Sequence, residues 1–437
     1  MSARQARFRF LLLIALRWLP VGLTIPVLVL LPLERGLTIA QAGMVGAVQG
    51  FVVLILELPT GGLADALGRR PVLLAAGVIN LVALAVMCVA DSVALFALGW
   101  LLQGVYRALD SGPLDSWYVD QALAADPDAD IESGLSHSSV VLSLAIAGTA
   151  LVSGGLVWLG PIGPMSALTV PVVLALALSG VSTLAVALLM SEERPALGGG
   201  ATTGDGGPVR GRAALAASLR GVPTAIASAL GVVRRSRVVF ALIIVEVFWS
   251  FGMVTFEKLM PVRLSEVMGD PDSAAALMGP VSSAGWAASA AGAALIPLLV
   301  RRIGGPWAGF AMRIALGLGI VGMGLLAGPV GVITGFLFTY AAHGASSPIH
   351  MSLLHRQAEG EYRTSLLSLN SMVGQPGFSV GSIMLTAIAQ SVSVSAAIVV
   401  GAVVLAVAAP LYLVRPTFRE PIDGGTTPAS ALTPGGI

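Results

Sequence analysis

Residues 61–70 read Gly61-Gly62-Leu63-Ala64-Asp65-Ala66-Leu67-Gly68-Arg69-Arg70, wedged between two long apolar segments. Asp65, Arg69 and Arg70 form a dense charge cluster in a chain whose charged residues make up only 11 %. Gly61, Gly62 and Gly68 permit positive φ and close helix approach. The stretch therefore predicts a tight turn between two helices. A carboxylate in such a turn is stabilised where it faces a helix N-terminus.

The rest of the composition says what surrounds that turn. Apolar residues make up 56 % of the 437 residues, and the mean hydropathy is +0.90. Soluble domains carry roughly a quarter charged residues, and so few charges cannot cover a water-facing surface. The composition is that of a polytopic membrane protein. A membrane-crossing helix needs about 20 mostly apolar residues. Twelve segments qualify: 10–33, 41–63, 71–90, 93–119, 136–159, 164–190, 238–262, 274–300, 306–328, 329–352, 364–389 and 392–414. The long run from 306 to 352 divides at Gly328-Pro329-Val330-Gly331, a turn signal. Arg4, Arg7 and Arg9 before the first run give it the look of a signal peptide. The run is too long for one, and no small-x-small cleavage site follows closely, so it reads as an uncleaved first span.

Arginines fix the orientation. Arg4, Arg7, Arg9, Arg69, Arg70, Arg194, Arg301, Arg302, Arg356 and Arg415 all fall on the side of the N-terminus. Arg35, Lys258 and Arg263 fall on or near the other side. The positive-inside rule then places both termini in the cytoplasm. Lys258 is the only lysine, and the Arg, Ala and Gly richness suits a bacterial source; the expected location is the bacterial inner membrane. One polar interruption, 191–236, is Gly- and Arg-rich and reads as a flexible linker, with 213–235 able to lie as a helix on the membrane surface. The tail after Arg419 is rich in Pro, Gly and Thr and reads as disordered. An internal repeat supports a division into halves. Residues 111–122 (SGPLDSWYVDQA) match 346–358 (SSPIHMSLLHRQA), pairing Pro113 with Pro348, Asp115 with His350 and Asp120 with His355. Val300-Arg301-Arg302-Ile303-Gly304 stands where the 61–70 turn should recur.

The 61–70 stretch resembles the signature loop between helices two and three of the major facilitator superfamily, with Gly61, Leu63, Asp65, Gly68, Arg69 and Arg70 on the pattern. The resemblance implies an all-α membrane protein with twelve transmembrane helices in two pseudo-symmetric six-helix bundles. The bounds are then 1–190 for the first bundle, 191–236 for the linker, 237–414 for the second bundle and 415–437 for the tail. It also implies a conformational latch built on Gly61, Asp65, Gly68, Arg69 and Arg70. Asp65 would face the start of span 11 near Thr364 and Ser365, and Arg69 or Arg70 would pair with Asp120. Two departures stand out. The family's span-4 arginine position is Trp100, three residues before Gln103-Gly104, with Arg107 one turn onward as a substitute. The span-5 glycine series has Gly148, Gly154 and Gly155 but lacks the Gly-Pro step of the antiporter motif. Antiport therefore rests on less than transport does.

A charge at the bilayer centre costs at least about 2.5–3.5 kcal/mol on insertion scales, so the charges inside the spans are candidates for function. Glu57, Arg107, Asp110, Asp115, Glu246 and Arg17 are expected to line a cavity that binds protons and substrate, with Trp18 and Trp249 as aromatic walls. The offsets of Asp110 and Asp115 put them near Arg107, where a carboxylate would gain and lose a proton as the cavity alternates. Glu257 beside Lys258 reads as a solvated pair near the outer end, and Arg313 as a snorkelling side chain. His343, His350 and His355 have poor metal spacing, and the single cysteine, Cys88, allows no disulfide within the chain; no metal site is expected.

The net charge of +1 leaves no basic field for nucleic acid. No phosphate-binding loop or reactive constellation stands out, so the chain is not read as an enzyme. No cofactor is expected, and an ion gradient is the remaining energy source. One charge moved through 100 mV yields about 2.3 kcal/mol. The expected function is secondary active transport by alternating access, as proton-coupled export of small lipophilic or amphiphilic compounds by a monomer in the bilayer. The alternatives are a metabolite importer or facilitator of the same fold and, less favoured, a non-transporting membrane sensor.

Overall fold

The computed structural model describes residues 1–191, 231, 236–357 and 362–415. Among them the structure is helical, apart from one isolated bridge between Ile162 and Met165. The described helices group into twelve segments, called spans 1 to 12 in chain order. Span 1 is Ala3–Thr24, resumed at Leu30–Glu34; span 2 is Ile39–Leu67; span 3 is Arg69–Val89. Span 4 is Val93–Asp110 followed by Pro113–Ala125; span 5 is Ile131–Trp158; span 6 is Thr169–Leu189. Span 7 runs Arg237–Val254, through a π-helical turn at Thr255–Leu259, to Met260–Met268. Span 8 is Pro271–Ala294 with Ile296–Ile303; span 9 is Gly305–Leu325; span 10 is Gly328–His355. Span 11 is Tyr362–Ser391, and span 12 is Val394–Val407 closed by a 3-10 turn at Ala409–Leu413. Most of the expected linker and tail lie outside the described residues, as does most of the expected surface helix at 213–235.

Among the described residues, nine helices are long and apolar enough to cross a membrane, those of spans 2, 3, 5, 6, 7, 8, 9, 11 and 12. Spans 1, 4 and 10 are more polar because they carry Arg17, the Arg107–Asp115 charges, and His343 with His350. The outward faces are apolar, with Ile55 69 % and Val330 77 % exposed. In water such faces would be a liability; in lipid they are the solvated surface.

Local chemistry explains the span ends. Thr38 with Gln41 and Ser2 with Gln5 form capping boxes, satisfying backbone N–H groups that have no partner within their own helix. The expected loop at 61–70 is shorter than its sequence suggests. Helix persists through Leu67, and the whole turn is Gly68, at φ 97° and ψ 154°. A β-carbon is strongly disfavoured there. Gly304 repeats this geometry between spans 8 and 9, at φ 78° and ψ 157°, so the degenerate copy in the sequence is a structural copy. Span 4 is broken at Gly112, φ 94°, ahead of Pro113. Span 10 carries Pro348 without a break.

The same packing occurs twice. Span 1 packs on spans 5 and 6, span 2 on span 4, and span 3 on spans 4 and 6. Span 7 likewise packs on spans 11 and 12, span 8 on span 10, and span 9 on spans 10 and 12. The halves meet mainly where span 2 packs on span 11 and span 5 on span 8. A two-fold operation exchanges those two contacts, as parallel repeats require.

Candidate functional site

The junction between the halves is tight at the end away from Gly68. Ser379 Oγ donates to the Ala47 carbonyl at 3.1 Å, and Ser382 Oγ to the Gly43 carbonyl at 2.9 Å. Gly154 of span 5 lies against Gly279 of span 8, where a β-carbon would meet the Ala276 carbonyl oxygen at 2.6 Å. Small residues let backbones close to this distance. Nearer the other end, Ser371 of span 11 donates to Glu57 Oε1 of span 2 at 3.0 Å. The second carboxylate oxygen of Glu57 is buried without a hydrogen-bond partner among the described residues.

Among the described residues, the first half holds a largely buried polar cluster with the exposed Asp115 at its edge. Arg17 of span 1 makes an ion pair with Asp110 of span 4 and also donates to the Asp110 carbonyl at 3.2 Å. Tyr106 and Asp115 lie within reach of the same guanidinium, and the Trp18 ring is 5.6 Å from it. Spans 3 and 6 complete a small cavity there, with Asn80, Ser179 and Thr183 beside Arg17 and Asp110. Gln103 donates to Asn80 at 2.8 Å, and Asn80 to Ser179 at 3.2 Å.

This corrects the sequence reading of span 4. Arg107 makes no ion pair with Asp110 or Asp115, because Asp110 turns toward span 1 and meets Arg17. Arg107 is instead exposed, close enough to Glu257 of span 7 for their charges to act on one another.

Span 7 brings a second correction. Glu257 and Lys258 do not stand at an outer end, although Glu257 is exposed. They sit inside the span on its π-helical turn, a feature frequent at functional sites. The Lys258 ammonium reaches into the first half and lies 4.4 Å from the Trp100 ring centre and 5.9 Å from that of Phe378. Glu257 faces Arg107 and acts on Tyr340.

The second half holds its own buried cluster. Arg313 of span 9 is only 2 % exposed, so it does not snorkel. It donates to the Tyr412 hydroxyl at 3.2 Å and lies 5.8 Å from the ring centres of Trp249 and Tyr412. His350 Nδ1 is 3.0 Å from the same hydroxyl, and its Nε2 is 3.1 Å from Asn370 Oδ1. Glu246 Oε2 stands 3.5 Å from that Nε2. Trp249 also stacks on His343 at 5.5 Å. Among the described residues no cluster has the makings of a metal site.

At the Gly68 end, Arg69 pairs with Asp120 within the first half, and Arg70 donates to the Ala187 carbonyl at 2.6 Å. The Asp65 side chain and its expected partners Thr364 and Ser365 lie outside the described side chains. Sequence reasoning passed over Tyr106, Asn370 and Tyr412. The legible signal was a hydroxyl or amide inside an otherwise apolar span.

The sequence model of the Major Facilitator Superfamily matches residues 10–353. The chain belongs to the Major Facilitator Superfamily. As a member of that superfamily it is a multi-pass membrane transporter. No curated protein matches it in sequence, but solved structures share its fold. The nucleoside transporter NupG superposes with a TM-score of 0.74 at 13 % identity, over 93 % of this chain and 98 % of that one. A bacterial homolog of the human lysosomal transporter Spinster, in an inward-facing and unoccupied conformation, gives 0.71 at 15 %, over 94 % and 96 %. A POT family transporter in complex with 5-aminolevulinic acid gives 0.68 at 12 %, over 93 % and 95 %. At these identities the likeness speaks for the fold of this superfamily member and leaves its substrate to its own residues.

Proposed function

We propose that this transporter uses the proton gradient to export small amphiphilic compounds by alternating access, as a monomer with both termini in the cytoplasm. The observation that carries the reading is the charged and aromatic lining between the halves. Arg107 and Glu257 offer an exposed cation and an exposed anion near one another. Tyr340 stands beside Glu257, with Trp286 edge-on to it, and the buried Phe256 packs behind the Tyr340 ring. An amphiphile presents one polar end and one apolar body, and this lining offers a surface to each. In alternating access, the Gly43–Ser382 and Gly154–Gly279 contacts would part when the cavity opens outward. The Glu57–Ser371 contact would part when it opens inward.

A second reading, import of a zwitterionic metabolite, is favoured by the same Arg107–Glu257 pair if the aromatic rings only pack. Uptake into inside-out vesicles, with and without a proton gradient, separates the two. The export reading expects gradient-driven accumulation of amphiphilic dyes inside inverted vesicles, together with lowered compound tolerance in a deletion strain. Accumulation only in right-side-out vesicles would favour import.

A further inference from the structure

We propose that Glu246, coupled to His350, is where this transporter binds its coupling proton; the assignment rests on the proton-coupled reading above. Arg313 can only donate, so the Tyr412 oxygen accepts from it. Asn370 Oδ1 can only accept, so a neutral His350 donates to it from Nε2 and leaves Nδ1 to accept from the Tyr412 O–H. This chain satisfies a neutral imidazole completely. Asn370 also lies beside Glu246, and the carboxylate stands 3.5 Å from the imidazole.

Glu246 is the carboxylate of this cluster, and it does not touch the arginine. Tyr412, His350 and Asn370 stand between them. Two Arg313 nitrogens, Nε and Nη1, are buried without partners among the described residues. A proton can therefore bind Glu246 without breaking an ion pair. Each element packed around Glu246 contributes to this balance: Arg313 from span 9, His343 and His350 from span 10, Asn370 from span 11 and Tyr412 from span 12.

The position also suits coupling to movement. The Glu246 side chain is 14 % exposed, against 3 % for His350, so the carboxylate is the open end of the chain of hydrogen bonds. A β-carbon on Gly374 of span 11 would lie 3.6 Å from Glu246 Oε1, so span 11 passes close by. Span 11 also packs on span 2 of the other half. The helix that carries Asn370 beside Glu246 is therefore the one that also meets the other half.

The test is an infrared pH titration of the purified full-length protein in lipid, following the carbonyl band of a protonated carboxylic acid. It needs no transported solute. The wild type is expected to show one such band that titrates, Glu246→Gln to lose it, and Asp110→Asn to keep it. His350→Gln is expected to move its midpoint by about one pH unit, and Glu246→Asp to retain a titrating band at a displaced midpoint. Thermal melting of each variant confirms that it is folded. A band that survives in Glu246→Gln, or that disappears in Asp110→Asn, overturns the assignment. A titrating Glu246 in a protein whose vesicles show no gradient-driven flux would sink the proton-coupled reading and leave the proton site standing.

Discussion

The two halves share one packing scheme but solve the problem of a buried arginine in opposite ways. In the first half, Arg17 meets Asp110 directly, and the carboxylate is locked to its counter-charge. In the second half, Arg313 reaches Glu246 only through Tyr412, His350 and Asn370. A direct pair resists protonation, because a proton on the acid strands the arginine in a low-dielectric site. A relayed pair tolerates either charge state. The same fold thus holds a static strut on one side and a group free to titrate on the other.

The largest effect expected from breaking this contrast is in the strut. Asp110→Asn leaves Arg17 without its counter-charge and is expected to cost about 3–5 kcal/mol of stability, read as a large fall in melting temperature in detergent. The double variant Arg17→Met, Asp110→Leu should recover most of it; if it does not, the pair does more than neutralise charge. Next in size is Tyr412→Phe, which removes the hydroxyl shared by Arg313 and His350. A loss of about 1–3 kcal/mol is expected, with the infrared midpoint of Glu246 displaced. A variant as stable as the wild type would mean that the relay does not run through Tyr412.

Glu246→Gln sharpens the comparison most, because its effect on stability should be small, about 1 kcal/mol. A protonated acid and an amide present similar hydrogen-bonding groups. A loss as large as that of Asp110→Asn would make Glu246 a second strut. The smallest effect is expected at the Gly68 turn. Asp120 is well exposed, so Asp120→Asn should change stability by only about 0.5 kcal/mol, with melting at low and high salt as the check.

The sequence showed which residues were costly to bury but not whom they would meet. Asp110 and Arg107 are three residues apart on one helix, which suggested a pair, yet helical spacing says only which face a residue takes. The partner came from span 1, more than ninety positions away, at Arg17. Glu257 and Lys258 misled for a related reason. Their position was counted from an expected span end at 262, whereas the helix continues through a π turn to Met268. The repeat fared better. Gly304 was legible as a copy of Gly68 because positive φ selects glycine wherever a turn needs it.

What the sequence determined alone is the helical membrane fold: apolar length and turn glycines are local properties, and each is set by the bilayer acting on neighbouring residues. What only the tertiary structure decided is the electrostatics inside it. A buried charge is governed by the few atoms within hydrogen-bonding distance, and here those atoms come from other spans, brought together by packing that no local pattern encodes.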